Sequence, residues 1–155
     1  MNLFSLHGKV AIVTGGSGFF GTPISIALAE AGATVIVASR NVLKCRDFAQ
    51  SIRDRGHLAE GMGLDLEDQN SIDEFVTAVL EKFCRIDVLV NNAVSREGFK
   101  NLADVDRESW EKTQRINSTG LIFITQPVLR TMLKQGFGNI INVSSIQGAV
   151  GPNFP

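Results

Sequence analysis

A chain of 155 residues with 44% hydrophobic and 20% charged residues has an ordinary globular composition and is long enough for one domain with a real core. A net charge of −1 gives no basis for binding nucleic acid or an anionic membrane, and no stretch approaches the ~20 apolar residues of a membrane span. Residues 1–9 lack the basic start and apolar core of a signal peptide, Cys45 and Cys84 stand alone, and His7 and His57 are isolated; a cytoplasmic protein with reduced thiols and no metal site is expected.

The first predicted element is the apolar run Lys9, Val10, Ala11, Ile12, Val13, fit for a buried strand. It empties into Thr14-Gly15-Gly16-Ser17-Gly18-Phe19-Phe20-Gly21, and a helical pattern over residues 23–31 follows, with Gly32 as its stop. Gly16, Gly18 and Gly21 spell G-x-G-x-x-G between a strand and a helix. In that setting glycines allow a tight turn and let bare backbone approach a pyrophosphate, and the helix N-terminus offers N–H groups to it.

Residues 34–38 are β-branched and apolar and read as a buried parallel strand. Residues 43–55 place Cys45, Phe48, Ala49 and Ile52 at helical spacing, residues 58–64 form a weaker strand, and Asn70 or Ser71 is the expected cap of a helix carrying Ile72, Phe75, Val76, Val79, Leu80 and Phe83. Residues 87–90 lead as a strand into Asn91-Asn92-Ala93, a loop spans residues 95–104, a long helix over residues 107–132 is expected to bend or break near Pro127, and residues 139–143 form a fifth strand. No repeat, linker or low-complexity stretch interrupts the pattern.

Alternating apolar strands and helices predict an α/β fold, a doubly wound parallel sheet of the Rossmann type, as one dinucleotide-binding domain over residues 1–155. Ligands of such a fold lie beyond the C-terminal strand ends. The candidates are therefore residues 15–21, 39–41, 65–66, 91–95 and 143–148.

At the end of the second strand an acidic residue would favour NAD, but the chain reads Ala38-Ser39-Arg40-Asn41. A hydroxyl and a guanidinium suit a 2′-phosphate, so NADP is the preferred cofactor and NAD the alternative; read blandly, Arg40 is a solvated loop charge. Asp65, after the third strand and before Leu66, is either a contact to the adenine amino group or a turn residue. Asn117, inside an apolar helix, is disfavoured there and invites a reason, unless it is a surface or capping residue. Ser144 and Ser145 read from the residues alone as a loop-capping pair.

Together, the glycine turn, Asp65-Leu66, Asn91-Asn92-Ala93-Val94, Asn117-Ser118-Thr119-Gly120 and Asn142-Val143-Ser144-Ser145-Ile146-Gln147-Gly148 resemble the short-chain dehydrogenase/reductase family, of the single-domain kind. The resemblance implies an NAD(P)-dependent oxidoreductase that transfers hydride between nicotinamide and a carbonyl or alcohol substrate. It implies pyrophosphate contacts from Gly15, Gly16, Ser17, Gly18, Phe20 and Gly21. Asn92 and Ala93 would touch the cofactor ribose region, Val94 would be a further cofactor-binding residue, and Asn91 would tie neighbouring strands. As catalytic residues, Asn117 would hold a water in a proton relay and Ser145 would hydrogen-bond the substrate oxygen. A homo-oligomer is implied for the full-length protein, with a small-molecule substrate and neither nucleic acid nor membrane as partner.

There are departures. Phe19 stands where most single-domain members carry a glycine, which leaves a T-G-x-x-G-x-x-G spacing, and Val94 replaces the glycine that commonly ends the N-N-A segment. Residues 151–155 resemble the start of an insertion in some bacterial members. The family's acid/base Tyr, with its Lys four residues later, has no counterpart: the sequence contains ten Phe and no Tyr. The expectation is an N-terminal part of a longer enzyme, inactive alone and truncated after the fifth strand. The alternatives are a non-catalytic dinucleotide-binding module and a subunit completed by another chain.

Overall fold

Every residue of β1 (Val10–Thr14) is buried, because both faces of this strand are covered. Val10 and Ile12 enter one core and Ala11 and Val13 the other, the alternation that a period of two imposes. The computed structural model describes residues 4–96 and 103–145. After β1 come α1 (Gly21–Glu30), β2 (Thr34–Ser39), α2 (Val42–Arg53), β3 (Leu58–Gly63), α3 (Gln69–Phe83), β4 (Val88–Asn91), α4 (Arg107–Gln114), a π-helical turn (Arg115–Gly120), α5 (Leu121–Gln135) and β5 (Asn139–Asn142).

The strands form one sheet in the order β3-β2-β1-β4-β5, and all four pairings are parallel. The chain winds outward from β1 to β3 and returns to the far side of β1 for β4. That reversal opens a crevice at the C-terminal ends of β1 and β4. Residues of α3 and α5, among them Phe75, Val79, Ile124 and Val128, pack with Ile12, Ile36 and Leu89 on one face. Ala29, Cys45, Ala49 and Ile52 of α1 and α2 meet Val13, Val35, Val37 and Val90 on the other. Each fully buried Ile, Leu or Val contributes roughly 1.5–3 kcal/mol relative to exposure. The three-layer fold is therefore the one the alternating apolar runs predict.

Two expectations are corrected. The cap of α3 is Asp68, not Asn70 or Ser71: its carboxylate accepts from Asn70 N at 2.9 Å, while the Ser71 hydroxyl accepts from Asp65 N at 2.9 Å. Nor does the long helix break at Pro127. α5 runs through it, held to the sheet by the fully buried Ile124 and Val128 on either side. The irregularity lies earlier, in the π turn. Two tertiary demands fall inside that turn: Asn117 reaches Ser95, and Gly120 packs so closely that a Cβ would lie 2.5 Å from the Leu66 carbonyl oxygen.

At the opposite, N-terminal edge of the sheet, Asp87 is buried and accepts from Val10 N at 2.9 Å and from Arg85 Nε and Nη2 at 2.7 Å each. Lys9 Nζ is 3.2 Å away, and the Phe137 ring lies under both Lys9 and Arg85, 4.5 and 5.3 Å from its centroid. Burial pushes the Asp87 carboxyl up, but the bonds from Arg85, Val10 and Lys9 outweigh it and hold the group below its ordinary range.

β5 is an edge strand of the described sheet, with Ile141 and Val143 exposed. Part of the expected 95–104 loop, the segment Ile146, Gln147, Gly148 and residues 151–155 lie outside the described residues. Among the described residues, no helix is long and apolar enough to cross a membrane, and no three His, Cys, Asp or Glu side chains gather as a metal site.

Candidate functional site

A cleft of about 160 Å³ lies over the C-terminal ends of β1, β2, β3 and β4, beside the crevice that the reversal opens. Of the residues singled out in the sequence, Gly15, Ser39, Arg40, Leu66, Ala93 and Val94 line it, together with Thr14, Ala38, Leu64 and Ile116. Asn117 and Ser145 are not among its lining residues.

The glycine turn borders this cleft, and its glycines are not equivalent. Gly15 has φ +64°, and a Cβ there would meet Ala93 Cα at 3.1 Å. A Cβ on Gly16 would fall 2.8 Å from the Val13 carbonyl oxygen, and one on Gly21 would overlap the Gly15 carbonyl oxygen outright. Gly18 is looser, with only the Gly15 oxygen nearby at 3.0 Å. Gly15, Gly16 and Gly21 therefore build the turn, and Gly18 contributes less than the sequence pattern suggests. No side chain caps α1 and no acidic residue lies in its first turn, although Thr22 N already donates to the Gly18 carbonyl at 2.9 Å and Pro23 carries no N–H. Phe20 occupies the cap position, and the exposed rings of Phe19 and Phe20 meet edge to face at 5.1 Å.

At the end of β2, the Ser39 hydroxyl lies 3.5 Å from Ser17 Oγ and 2.9 Å from Cys45 Sγ. Arg40 is exposed, with Nη1 3.7 Å from Glu67 Oε2, and Arg115 Nε meets the other Glu67 oxygen at 3.3 Å. Asn41 caps α2 by accepting from Lys44 N at 3.0 Å. One oxygen of Asp65 accepts from Glu67 N at 3.0 Å, the geometry of a turn residue.

A clasp joins the ends of β1 and β4. Thr14 Oγ1 donates to the Val90 carbonyl and accepts from Asn92 N and Ala93 N at 3.0 Å each. Asn92 Nδ2 donates back to the Thr14 carbonyl at 2.9 Å. Beside it, Asn91 Nδ2 donates to Asn142 Oδ1 and Thr125 Oγ1, both at 2.9 Å, tying β4 to β5 and α5. Asn117 Oδ1 accepts from Ser95 N at 2.7 Å while its Nδ2 donates to the Ser95 carbonyl at 2.9 Å. Ser145 is exposed just past β5.

The sequence reading missed Thr14 as the clasp, Glu67 as the partner of Arg40, and the Cys45 thiol beneath Ser39. Thr14 alone carried a signal, as the one hydroxyl ending an otherwise apolar run.

The model of the short chain dehydrogenase family matches residues 9–154. The 3-oxoacyl-(acyl-carrier-protein) reductase FabG of Aquifex aeolicus is 36% identical over 149 residues, covering 94% of this chain and 59% of its own length. A crystal structure of NAD+-bound xylitol dehydrogenase superposes with a TM-score of 0.89 at 30% identity, over 94% of this chain and 56% of that one. One of an actinorhodin polyketide ketoreductase variant with NADPH gives 0.88 at 33% identity, again over 94% and 56%. The chain thus spans less than two thirds of the relatives it matches. With its parallel sheet, its glycine turn and a family match over nearly its whole length, this chain belongs to the short chain dehydrogenase family.

Proposed function

We propose that this chain is the dinucleotide-binding part of an NADP-dependent oxidoreductase that acts on a small carbonyl or alcohol substrate. The observation that carries the reading is the cleft beside the β1–β4 reversal. Bare backbone at Gly15, Gly16 and Gly21 adjoins an uncapped helix N-terminus, and no carboxylate is among the lining residues. A pyrophosphate needs the close approach of bare backbone, which these glycines allow; the N–H groups of Gly15, Gly16 and Gly18 are themselves bonded to the Ala38 and Gly15 carbonyls, so its donors would come from the rest of the turn.

In this reading the nicotinamide, when bound, supplies or takes the hydride, and the chain's residues bind and orient. The backbone of Gly15, Gly16, Ser17, Gly18, Phe20 and Gly21 holds the pyrophosphate. Ser39 and Arg40 face the 2′-phosphate with Asn41 behind them as the cap of α2. Asp65 meets the adenine amino group through the oxygen its turn leaves over, with Leu66 as apolar wall. Asn92, Ala93 and Val94 border the ribose. Ser145 hydrogen-bonds the substrate oxygen. Asn117 holds the relay water with the one Nδ2 hydrogen that Ser95 leaves, or with its own carbonyl in the π turn.

Solved relatives carry either cofactor, so the preference for NADP rests on Ser39 and Arg40. A calorimetric titration should find NADP+ binding tighter than NAD+; the reverse order would overturn the preference. The absence of Tyr from the sequence means these residues do not furnish the phenol acid/base that the family resemblance implies. Loss of a general acid/base lowers rates by about 10²–10⁴, so the 155 residues alone should reduce no carbonyl compound at a measurable rate. The same absence favours a second reading, a dinucleotide-binding module or a subunit completed by another chain. The presence of both Asn117 and Ser145 favours the first. A cytoplasmic homo-oligomer completes the proposal.

A further inference from the structure

One buried thiol lies beneath the cleft without a role in the reading above. Cys45 is 0% exposed, in the first turn of α2. Its Sγ stands 2.9 Å from Ser39 Oγ and 3.7 Å from Ser17 Oγ. Ser39 lines the cleft and Cys45 does not. With Ser17 Oγ and Ser39 Oγ 3.5 Å apart, the three groups form a small polar triangle between an apolar core and the cleft, which it reaches at Ser39.

The thiol is held in place from two sides. Asn41 caps α2, and its carbonyl accepts from Cys45 N at 3.1 Å. On β3, Gly61 lies so close to the backbone of Cys45 and Arg46 that any Cβ would overlap it. The first turn of α2 is therefore clamped between its own cap and β3, which fixes the backbone that carries the buried thiol beside Ser39.

A proton count gives this arrangement its consequence. Ser39, Ser17 and Cys45 each carry one donor hydrogen. If Ser39 donates to the sulfur, it has no hydrogen left for a ligand. If the Cys45 S–H donates to Ser39 Oγ, the hydroxyl hydrogen is free to point into the cleft. A phosphate accepts, so binding one excludes the first arrangement, and the second keeps the contact between the thiol and Ser39 while it frees the hydroxyl hydrogen. We propose that Cys45 is a positioning residue for cofactor discrimination: its thiol donates to Ser39 and turns the Ser39 hydroxyl toward the 2′-phosphate of the bound dinucleotide. Ser17 couples the same hydroxyl to the glycine turn. The inference rests on the reading that Ser39 meets the 2′ substituent.

The test is the ratio of dissociation constants for NADP+ and NAD+, measured by calorimetry on the protein that carries this chain. A purely packing role for Cys45 would move both constants together. Cys45→Ala and Cys45→Val, the second of which fills the space without a donor, should each weaken NADP+ by roughly 3- to 10-fold, the loss of one hydrogen bond, and NAD+ by less than about 2-fold. Cys45→Ser, which restores a donor, should bring the ratio back to within about 2-fold of the parent. An unchanged ratio in Cys45→Val, while Ser39→Ala shifts it, would overturn the role of Cys45 and leave the 2′-phosphate reading standing. An unchanged ratio in Ser39→Ala would overturn both.

Discussion

Asn117 and Ser95 exchange two hydrogen bonds, the side-chain amide of one reading both backbone groups of the other. The pair fastens the π turn to the segment that follows β4. Asn117 is thus a fixed point of the site before any ligand arrives, and a disfavoured residue in a helix has found the partner that explains it.

Asn117→Ala should lower stability by about 1–3 kcal/mol, because it removes two hydrogen bonds to the backbone of the buried Ser95. Urea denaturation measures the loss. Hydrogen exchange locates it: the Ser95 amide should lose protection, while amides at the centre of β1 keep theirs.

The glycine turn predicts an asymmetry that its sequence pattern conceals. Gly21→Ala forces a Cβ into the Gly15 carbonyl and within 2.7 Å of Gly16 Cα. It should cost about 1–3 kcal/mol, the usual range for overpacking, and abolish dinucleotide binding. Gly18→Ala meets a single atom at 3.0 Å, and should leave affinity within about 3-fold of the parent, an overpacking cost well under that range. Equal losses from the two substitutions would refute this division of labour.

Arg40 is exposed and shares Glu67 with Arg115. A phosphate arriving at Arg40 competes with a carboxylate that has a second cation to turn to. Arg40→Ala should weaken NADP+ by roughly ten-fold and NAD+ hardly at all, since a charge-assisted bond to phosphate is lost and none to the unphosphorylated ribose. Glu67→Gln should move NADP+ affinity the other way, toward tighter binding, by freeing Arg40.

The latch around Asp87 sets a pH dependence. Its carboxyl is held below the ordinary value in the fold. Its contribution is therefore complete above the unfolded pKa of about 4 and is lost as pH falls toward the folded pKa. Asp87→Asn should reduce stability at neutral pH by about 1.5–3 kcal/mol, the value of hydrogen bonds to a charged group. It should also flatten the fall in urea midpoint below about pH 4.

The parts of the fold that local chemistry decides were legible before the structure. β1 and β2 are apolar runs with both faces buried, and Gly21 sits where only bare backbone fits. The parts decided by distant partners were not. The π turn answers to Ser95 and Leu66, which lie 22 and 54 residues from Asn117 and Gly120 in the chain. Asp68 outcompetes Ser71 as the cap of α3 because Ser71 is occupied with Asp65. Cys45 reads as one more apolar residue on a helix face until β2 is laid beside it. For the same reason the tie between Glu67 and Arg40, across two loops, left no trace in the spacing.

The latch of Asp87, Arg85, Lys9 and Phe137 sits at the N-terminal edge of the sheet, and the cleft at the other. Substitutions at positions 39 and 40 alter one rim while the fastening of β1 to β4 at the far rim is untouched. Such a scaffold is evolvable. Its ligand preference can drift, or be redesigned, by trial at a few loop positions, without each trial also being a test of whether the protein folds.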